Sequence, residues 1–433
     1  MTLPELPPSS LASCATPGKD AFKFVCALAG AELTPARRER IADCDYQALD
    51  WGEVLRLAEH HGVLPLLAHN LIESGGVENA RGLPPEIERS LRLAYEGNLR
   101  RSLWFTAELT RIMRHFERRQ LRAIPYKGPL LAQSLYGNLA LRSFSDLDFL
   151  ISPGDFEPVK QALAEIGYRP SSDLSATVER FWLRRGYERS FDSTAGSNLV
   201  ELQWALLPHF YAVDLPVHDL LARAGCTVVG GCEMPSLSPE DSLLALCLHA
   251  AKHLWTRLIW LADIAETLSI GGEPGVPARL NPSASLRAGS RDACSSTTPS
   301  IDYSLVFSRA RELGIARILA VSFWLAKNVL RAQIPKSAED TIAADPLAPV
   351  LGAEFAGRLA RGAGYDFEST KYFRLIRKLR ERRGDRWRYL WRLISTPSAG
   401  DVAAVRLPEA LFPLYRIVRV GRLLRKALLR AES

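Results

Sequence analysis

The stretch YKGPLLAQSLYGNLALRSFSDLDFLI, residues 126–151, combines a glycine turn, a short helical pattern and two aspartates that precede an apolar run. Successive side chains of a strand point to opposite faces of the sheet. The apolar residues of DLDFLI would therefore face the core, while Asp146 and Asp148 share the other face. Two like charges held this close repel each other unless a cation lies between them. The aspartate pair therefore predicts a metal site.

The residues that precede the aspartates suit a phosphate group. Gly128 allows the backbone to turn sharply after a strand, and a short helix then starts at Pro129. The N-terminus of such a helix offers free N–H groups and the positive end of the helix dipole. Lys127 and Arg142 add positive charges beside this helix, although both could be ordinary surface cations. Ser145 either donates to a phosphate oxygen or caps a turn.

Paired carboxylates next to a phosphate cradle form the layout that metal-assisted nucleotidyl transfer requires. Two Mg²⁺ ions, or Mn²⁺ in their place, can activate the attacking oxygen, orient a triphosphate and stabilise the leaving pyrophosphate. The sequence contains no G-x-S-x-G, no P-loop and no G-x-G-x-x-G motif. Hydrolase, kinase and Rossmann-type dinucleotide-binding functions therefore lack support.

Composition is typical of a soluble globular protein, with 47% hydrophobic and 24% charged residues among 433. The seven cysteines show no C-x-x-C pairing, which favours a reducing compartment over a disulfide framework. The N-terminus has neither the basic nor the apolar region of a secretory signal. The longest uncharged apolar run, near Ile318–Ala326, is too short for a transmembrane segment. We therefore expect a cytoplasmic protein.

The net charge of +7 is unevenly distributed along the chain. Residues 371–433 hold 17 Lys and Arg against 5 Asp and Glu, so the rest of the chain is slightly acidic. Apolar and aromatic residues alternate with these arginines. The pattern indicates contact with a polyanion, which could be a membrane surface, a nucleic acid or an acidic acceptor. The alternative is a structural helix pair with a solvated basic face, which the pattern favours over any one of these partners.

The ordered set KG…R…DLDFL resembles the polymerase-β nucleotidyltransferase superfamily, whose signature is a glycine turn, a short helix and a D-x-D strand. Within that superfamily it looks most like a large bacterial group of nucleotidyltransferases related to the toxin nucleotidyltransferases of abortive-infection systems. The flanking helical stretches resemble the same group over most of the chain outside 271–300. The resemblance implies transfer of NMP from an NTP, with Asp146 and Asp148 as metal ligands and with Lys127, Gly128, Arg142 and Ser145 holding the nucleotide.

The superfamily usually supplies a third carboxylate from a later strand, and the resemblance implies Glu201 in NLVELQW for this role. Glu201 and Gln203 share one face of the predicted strand. The bacterial group commonly has aspartate and histidine at these two positions, so this chain departs from the pattern at both. Glu201 would bind Mg²⁺ or act as a base. The alternative is an ordinary carboxylate on a solvent-facing strand.

The predicted fold class is α+β, with a short mixed sheet in a polymerase-β-like core between N- and C-terminal helical regions. A hairpin is expected between YERSFDS and NLVELQW. The Gly-, Pro- and Ser-rich residues 271–300 are predicted to be a disordered insertion. The expected regions are an N-terminal helical region at 1–120, the core at 121–235, a helical domain at 236–370 and a basic C-terminal segment at 371–433.

Two functions remain open at this stage. The first is an Mg²⁺-dependent nucleotidyltransferase whose acceptor is a small molecule, a protein or RNA. The second is a catalytically silent member of the same fold that binds nucleotide or serves as a scaffold.

A pair of histidines, His249 and His253, with Asp263 downstream, has the spacing of a metal site. Such residues more often make buried contacts that dock helices.

Overall fold

A computed structural model of the chain describes residues 17–42, 44–73, 83–270, 300–366, 369–397, 401, 404–405 and 407–429. The predicted insertion at 271–300 lies, except for its last residue, outside these ranges. The described residues form a mixed α and β fold in which helices predominate and the main sheet is small. The predicted α+β class is therefore confirmed. Within the same ranges, no helix has the length and apolarity needed to cross a membrane.

The main sheet of the described chain has five strands in the order β1-β2-β5-β4-β3. Only β2 and β5 run parallel, and every other neighbouring pair is antiparallel. Its strands are β1 Ile124–Pro125, β2 Leu147–Leu150, β3 Arg169–Pro170, β4 Glu188–Ser193 and β5 Gly196–Gln203. The sequence predicts four of these strands and the β4–β5 hairpin. It does not predict β3, because two residues are too few to show alternation.

A second, separate hairpin is formed by β6, Gly225–Val229, and β7, Cys232–Ser236. The helices before and between the strands of the main sheet are α1 Pro17–Leu28, α2 Pro35–Ala42, α3 Trp51–His60, α4 Leu64–Ala68, α5 Pro85–Arg118, α6 Pro129–Tyr136, α7 Phe156–Glu165 and α8 Ala176–Arg185, and α9 Val217–Ala222 precedes β6. The helices after β7 are α10 Pro239–Lys252, α11 Leu258–Ile270, α12 Tyr303–Glu312, α13 Ala316–Leu330, α14 Lys336–Ala343, α15 Leu347–Leu359, α16 Thr370–Leu379, α17 Arg383–Ser395 and α18 Tyr415–Leu429.

Local sequence signals account for several helix boundaries. The helical pattern at 50–71 breaks where Gly62 adopts a φ of 71°, which separates α3 from α4. Helix α10 begins as the SPED sequence predicts: the Ser238 hydroxyl accepts the backbone N–H of Asp241 at 3.2 Å, and Pro239 occupies the first helical position. The sequence does not predict α8 and α14, which are short and each bury only one residue, so few core positions mark them.

The two faces of the main sheet join different apolar cores. Leu147 and Phe149 face a core shared with α5 and α7, where the Phe116 and Phe149 rings meet edge to face at 5.7 Å. Leu150 lies on the other face and joins a larger core built from helices at both ends of the chain. The four predicted regions stay a prediction, but helices of the first, third and fourth pack together in this core.

A buried ion pair fastens the loop before β2 to the helical core. The Arg142 guanidinium donates from Nε to Asp263 Oδ1 and from Nη2 to Asp263 Oδ2, both at 2.9 Å. The Tyr136 hydroxyl of α6 donates to the same Oδ1 at 2.9 Å. Asp263 belongs to α11, and both charged side chains are almost fully buried. This contact positions the segment that carries Asp146 and Asp148 against the helices.

Replacing Asp263 by alanine should destabilise the protein by roughly 3–5 kcal/mol, because it leaves the Arg142 charge buried without its partner. Urea unfolding followed by circular dichroism measures this loss. The exposed pair between Glu88 and Arg92 on α5 provides the control, and Glu88→Gln should cost at most about 1 kcal/mol. The double change Arg142→Met with Asp263→Leu should recover much of the stability. Equal costs for Asp263→Ala and Glu88→Gln would contradict the prediction.

Candidate metal centre

Strand pairing brings three carboxylates together. In the parallel pairing of β2 with β5, Asp148 lies directly opposite Glu201, so their side chains share one face of the sheet. Asp146 immediately precedes β2. One carboxylate oxygen from each of the three residues lies within 4.8 Å of the other two. Asp148 is buried, whereas Asp146 and Glu201 are half-buried.

The predicted glycine turn lies directly beside these carboxylates. Gly128 has a φ of 61° and a ψ of −133°, a conformation that favours glycine, and Pro129 then opens α6. A Cβ atom at Gly128 would lie 3.3 Å from the Asp146 carbonyl oxygen. Glycine therefore allows the chain before α6 to approach the chain before β2 closely, and the N-terminus of α6 lies next to the carboxylates.

The other predicted nucleotide-binding residues have different surroundings. The Lys127 ammonium group lies 2.9 Å from Asp148 Oδ1, so it is part of the cluster. Ser145 is exposed directly before Asp146, and its contact with a phosphate stays a prediction. Arg142 has a partner other than the predicted phosphate, because its guanidinium binds Asp263. Its charge still acts on the cluster, because it offsets part of the rise that burial and Asp148 cause in the pKa of Asp146.

Gln203, one of the two departures from the family pattern, orients two of the carboxylates. Its amide Nε2 donates to Asp148 Oδ1 at 2.8 Å and to Glu201 Oε2 at 3.0 Å. The Tyr126 hydroxyl donates to Gln203 Oε1 at 2.6 Å and so fixes the orientation of the amide. Burial keeps the pKa of Tyr126 well above its ordinary value, so this hydroxyl remains a donor. Gln203 thus holds the two carboxylates side by side.

Crowding perturbs the acidity of the cluster. Burial, followed by the charge of Asp148, raises the pKa of Asp146 to about 6. Burial, followed by the charges of Asp148 and Glu188, raises the pKa of Glu201 to about 8. Lys127 acts in the opposite direction on both groups. Lys127 therefore offsets only part of the repulsion between the carboxylates, which a bound cation would relieve further.

The site also contains two charged residues that the sequence does not single out. Glu188 pairs with Gln203 across β4 and β5, so its side chain shares the face of the three carboxylates. Lys252, the last residue of α10, places its ammonium group 5.0 Å from the centroid of the Tyr187 ring. Its carbonyl oxygen accepts the hydroxyls of Tyr211 and Tyr372. Two features of the sequence could have indicated these residues. The alternation in YERSFDS places Glu188 on one face of its strand, and Lys252 is the lysine within HAAKH.

His249 on α10 and His253 directly after it have a packing role, which is the alternative to a metal site that the sequence favours. The His249 and His253 rings contact the Trp260 ring, with centroids 5.3 and 4.9 Å apart. Burial lowers the pKa of both, to about 3 for His253, so both rings are neutral. Asp263 is engaged by Arg142 and Tyr136. These contacts dock α10 on α11.

The donor set fits a hard divalent cation. Three carboxylate oxygens at this spacing are the ligands that Mg²⁺ and Mn²⁺ prefer, and cysteine or histidine ligands are not part of the group. The raised pKa values of Asp146 and Glu201 have the same origin, because the crowding that holds protons on them would also hold a metal ion. The three residues could therefore hold a metal.

The raised pKa of Glu201 predicts how the metal-free protein responds to pH. A carboxyl group with a folded-state pKa of about 8 and an ordinary value of 4.5 contributes stability that is present below pH 4.5 and is lost as pH rises towards 8. Wild-type protein in EDTA should therefore lose stability between about pH 5 and pH 8. Glu201→Gln should flatten this dependence and raise the melting temperature at pH 8.

Thermal unfolding across a pH series measures this effect. Glu117→Gln, which removes an exposed carboxylate from α5, should leave the wild-type profile unchanged. If Glu201→Gln and Glu117→Gln followed the same curve as the wild type, crowding at Glu201 would play no part in the stability. Adding Mg²⁺ should stabilise the wild type most above pH 8, where Asp146 and Glu201 bind it without first losing protons.

Comparison with known proteins gives one result. A family model described as uncharacterised nucleotidyltransferase matches residues 47–279, which is more than half of the chain. The matched segment contains β1 to β7 and the helices α10 and α11, and therefore the whole carboxylate cluster with Lys127 and Lys252. No curated protein and no solved structure matches the chain. The chain belongs to the uncharacterised nucleotidyltransferase family.

Proposed function

We propose that the protein transfers a nucleoside monophosphate from an NTP to an acceptor, using a divalent metal held by Asp146, Asp148 and Glu201. The observation that carries the proposal is the convergence of these three carboxylates within 4.8 Å, beside the N-terminus of α6. Membership in the nucleotidyltransferase family supports the reaction class. The acceptor is a hydroxyl group on a small molecule, a protein or RNA.

The proposal includes a polymerase-β-like core for residues 121–235. Three features support it: the glycine turn at Gly128, the short helix α6, and the carboxylate-bearing strand β2 beside β5 in a mixed sheet. The departure to Glu201 and Gln203 is compatible with this core, since Gln203 donates to both neighbouring carboxylates. The Gln203 amide stabilises the position of the Glu201 carboxylate, whose side chain is longer than that of aspartate.

A divalent metal bound at this site would supply Lewis-acid activation and charge neutralisation on the triphosphate. The residues of the chain perform the remaining tasks. The acceptor oxygen forms a bond to the α-phosphorus while the bond from that phosphorus to the bridging oxygen of the β-phosphate breaks, and pyrophosphate leaves. The acceptor proton passes to solvent water, because the Glu201 carboxylate is taken up by the metal in this scheme.

The positive groups around the cluster account for phosphate binding. Lys127 lies beside Asp148, and the exposed Ser145 hydroxyl can donate to a phosphate oxygen. Free N–H groups of the first turn of α6 would face the same anion. Lys252 adds a second ammonium group from the helical side of the site. Arg142 acts as a positioning residue in this scheme, because its ion pair with Asp263 holds the loop before β2.

Asp146→Asn should lower nucleotidyl transfer by at least about a hundredfold, because the loss of a metal ligand removes several kcal/mol of transition-state stabilisation. Purified protein is incubated with Mg²⁺ or Mn²⁺, α-labelled NTPs and cell extract, and labelled acceptor and released pyrophosphate are measured. Asp146 is a better target than Asp148, since the ion pair of Asp148 with Lys127 also contributes to stability.

The matched control is Asp173→Asn, which removes an exposed aspartate that lies outside the cluster. This variant should transfer label as the wild type does. NTP binding without transfer under any metal condition would favour the catalytically silent alternative. Transfer that survives Asp146→Asn at the wild-type rate would refute the proposed ligand set, provided that both variants melt as the wild type does.

Lys252→Gln should raise the KM for the NTP by roughly tenfold or more and change kcat less, because a charge-assisted phosphate contact is lost. Lys252→Arg should restore part of the affinity, since it keeps the charge. Equilibrium dialysis with labelled NTP measures binding independently of turnover. Lys336→Gln on the exposed face of α14 is the control. An unchanged KM and an unchanged dissociation constant would exclude Lys252 from phosphate binding.

A further inference from the structure

Helix α17 is apolar on the side that faces away from the protein. The side chains of Trp387, Trp391 and Ile394 are 74, 70 and 46% exposed. Tyr389 and Leu393 are buried, and at about 100° per residue they lie on the opposite side of the helix. Two largely exposed tryptophans one helical turn apart are unusual on a protein surface that remains in water.

Helix α18 repeats this arrangement. Ile417, Val420 and Leu424 are exposed by 67, 37 and 59% and recur at the spacing of one helix face. Tyr415 and Arg419 are buried on the other side. Helices α17 and α18 thus each expose an apolar face to solvent.

Contacts on the inner side hold these helices in place. The buried Arg419 of α18 donates from Nε to the Leu393 carbonyl oxygen of α17 at 3.3 Å. Its Nη1 lies 3.5 Å from a carboxylate oxygen of the buried Asp401. The Tyr389 ring packs against the Phe210 ring, with the centroids 6.3 Å apart. Because the inner faces are engaged, the apolar outer faces cannot turn inward without breaking buried polar contacts.

Exposed basic residues accompany the apolar faces. Arg383 lies one turn before Trp387 on α17, and Arg416 and Arg425 are exposed on α18. The preceding helix α16 exposes further cations, which are Arg374, Arg377 and Lys378. Residues 371–433 carry 17 basic against 5 acidic side chains. A partner that is complementary to this surface therefore combines negative charge with apolar groups.

An anionic lipid surface meets both requirements. Tryptophan prefers the boundary between headgroups and acyl chains, aliphatic side chains enter the apolar layer, and arginines bind anionic headgroups. A nucleic acid would pair with the arginines and stack on the tryptophans, but it would leave Ile394, Ile417 and Leu424 in water. A second copy of the chain would bring two positively charged surfaces together.

We propose that the outward faces of α17 and α18 dock the protein peripherally on an anionic membrane surface, with Trp387 and Trp391 entering the headgroup region. The inference concerns a different part of the molecule from the carboxylate cluster and does not depend on the transfer reaction.

Vesicle flotation with the full chain tests this proposal. Wild-type protein should float with vesicles of phosphatidylcholine and phosphatidylglycerol at low salt, and much less with phosphatidylcholine alone. The double variant Trp387→Gln, Trp391→Gln should reduce the partition coefficient by at least about tenfold, because two large apolar side chains are lost. Changing Arg377, Lys378 and Arg383 to glutamine should reduce it by about fivefold per charge removed.

The control is Trp104→Gln, which removes a tryptophan exposed by 40% on α5 and should float as the wild type does. Lipids brominated in the acyl chains should quench part of the wild-type tryptophan emission and none of the emission of the double variant. This quenching separates insertion from purely electrostatic attraction, which would survive without Trp387 and Trp391.

Three results would overturn the proposal. The first is failure of the wild type to float with the anionic vesicles at low salt. The second is equal flotation of the wild type and the double tryptophan variant. The third is a different partner that depends on Trp387 and Trp391: retention on tRNA without flotation would indicate a nucleic acid, and a dimer in sedimentation velocity that the double variant lacks would indicate a second copy.

Discussion

Repulsion between carboxylates that one strand pairing forces together is the constraint on which the rest of this structure depends. The parallel register of β2 and β5 sets Asp148 opposite Glu201. Asp146, two residues before Asp148, completes the group. Such a cluster is costly in a half-buried position, as the raised pKa of Glu201 shows. The surrounding residues offset part of this cost, and a divalent cation would offset more.

The neighbouring contacts reduce the repulsion between the carboxylates. Lys127 neutralises one charge at 2.9 Å, and the Gln203 amide donates to two carboxylates at once. Neither residue replaces a metal, since an ammonium group and an amide together leave net negative charge. Under the proposed function, the cluster would be prepared for a cation before a nucleotide arrives, which would lower the reorganisation needed when a triphosphate binds.

The helices around the sheet serve this site by holding its loops. The ion pair between Arg142 and Asp263 joins the loop before β2 to α11, and His249 and His253 dock α10 on Trp260 of the same helix. Lys252 lies at the end of α10 with its carbonyl held by two tyrosine hydroxyls. A sheet of five short strands would not position these groups alone. The helices that predominate in this fold therefore hold the loop before β2 and Lys252 in place.

The sequence by itself determined several elements of this protein and the strand faces that carry its carboxylates. Alternation in DLDFLI and NLVELQW predicts both strands and the faces of Asp148 and Glu201, because a strand has a strict period of two. The glycine turn and the start of α6 follow from local backbone preferences. These features depend on neighbours in the chain, so local patterns are sufficient to predict them.

Only the tertiary structure decided which distant groups meet. Arg142 and Asp263 are 121 residues apart, and no local pattern indicates that the arginine binds a carboxylate on α11 rather than a phosphate. Glu188 and Lys252 join the site only because β4 pairs with β5 and because α10 packs beside the sheet. The sequence also did not predict that Trp387 points outward. The pattern of an amphipathic helix identifies two faces, but it does not say which face is buried.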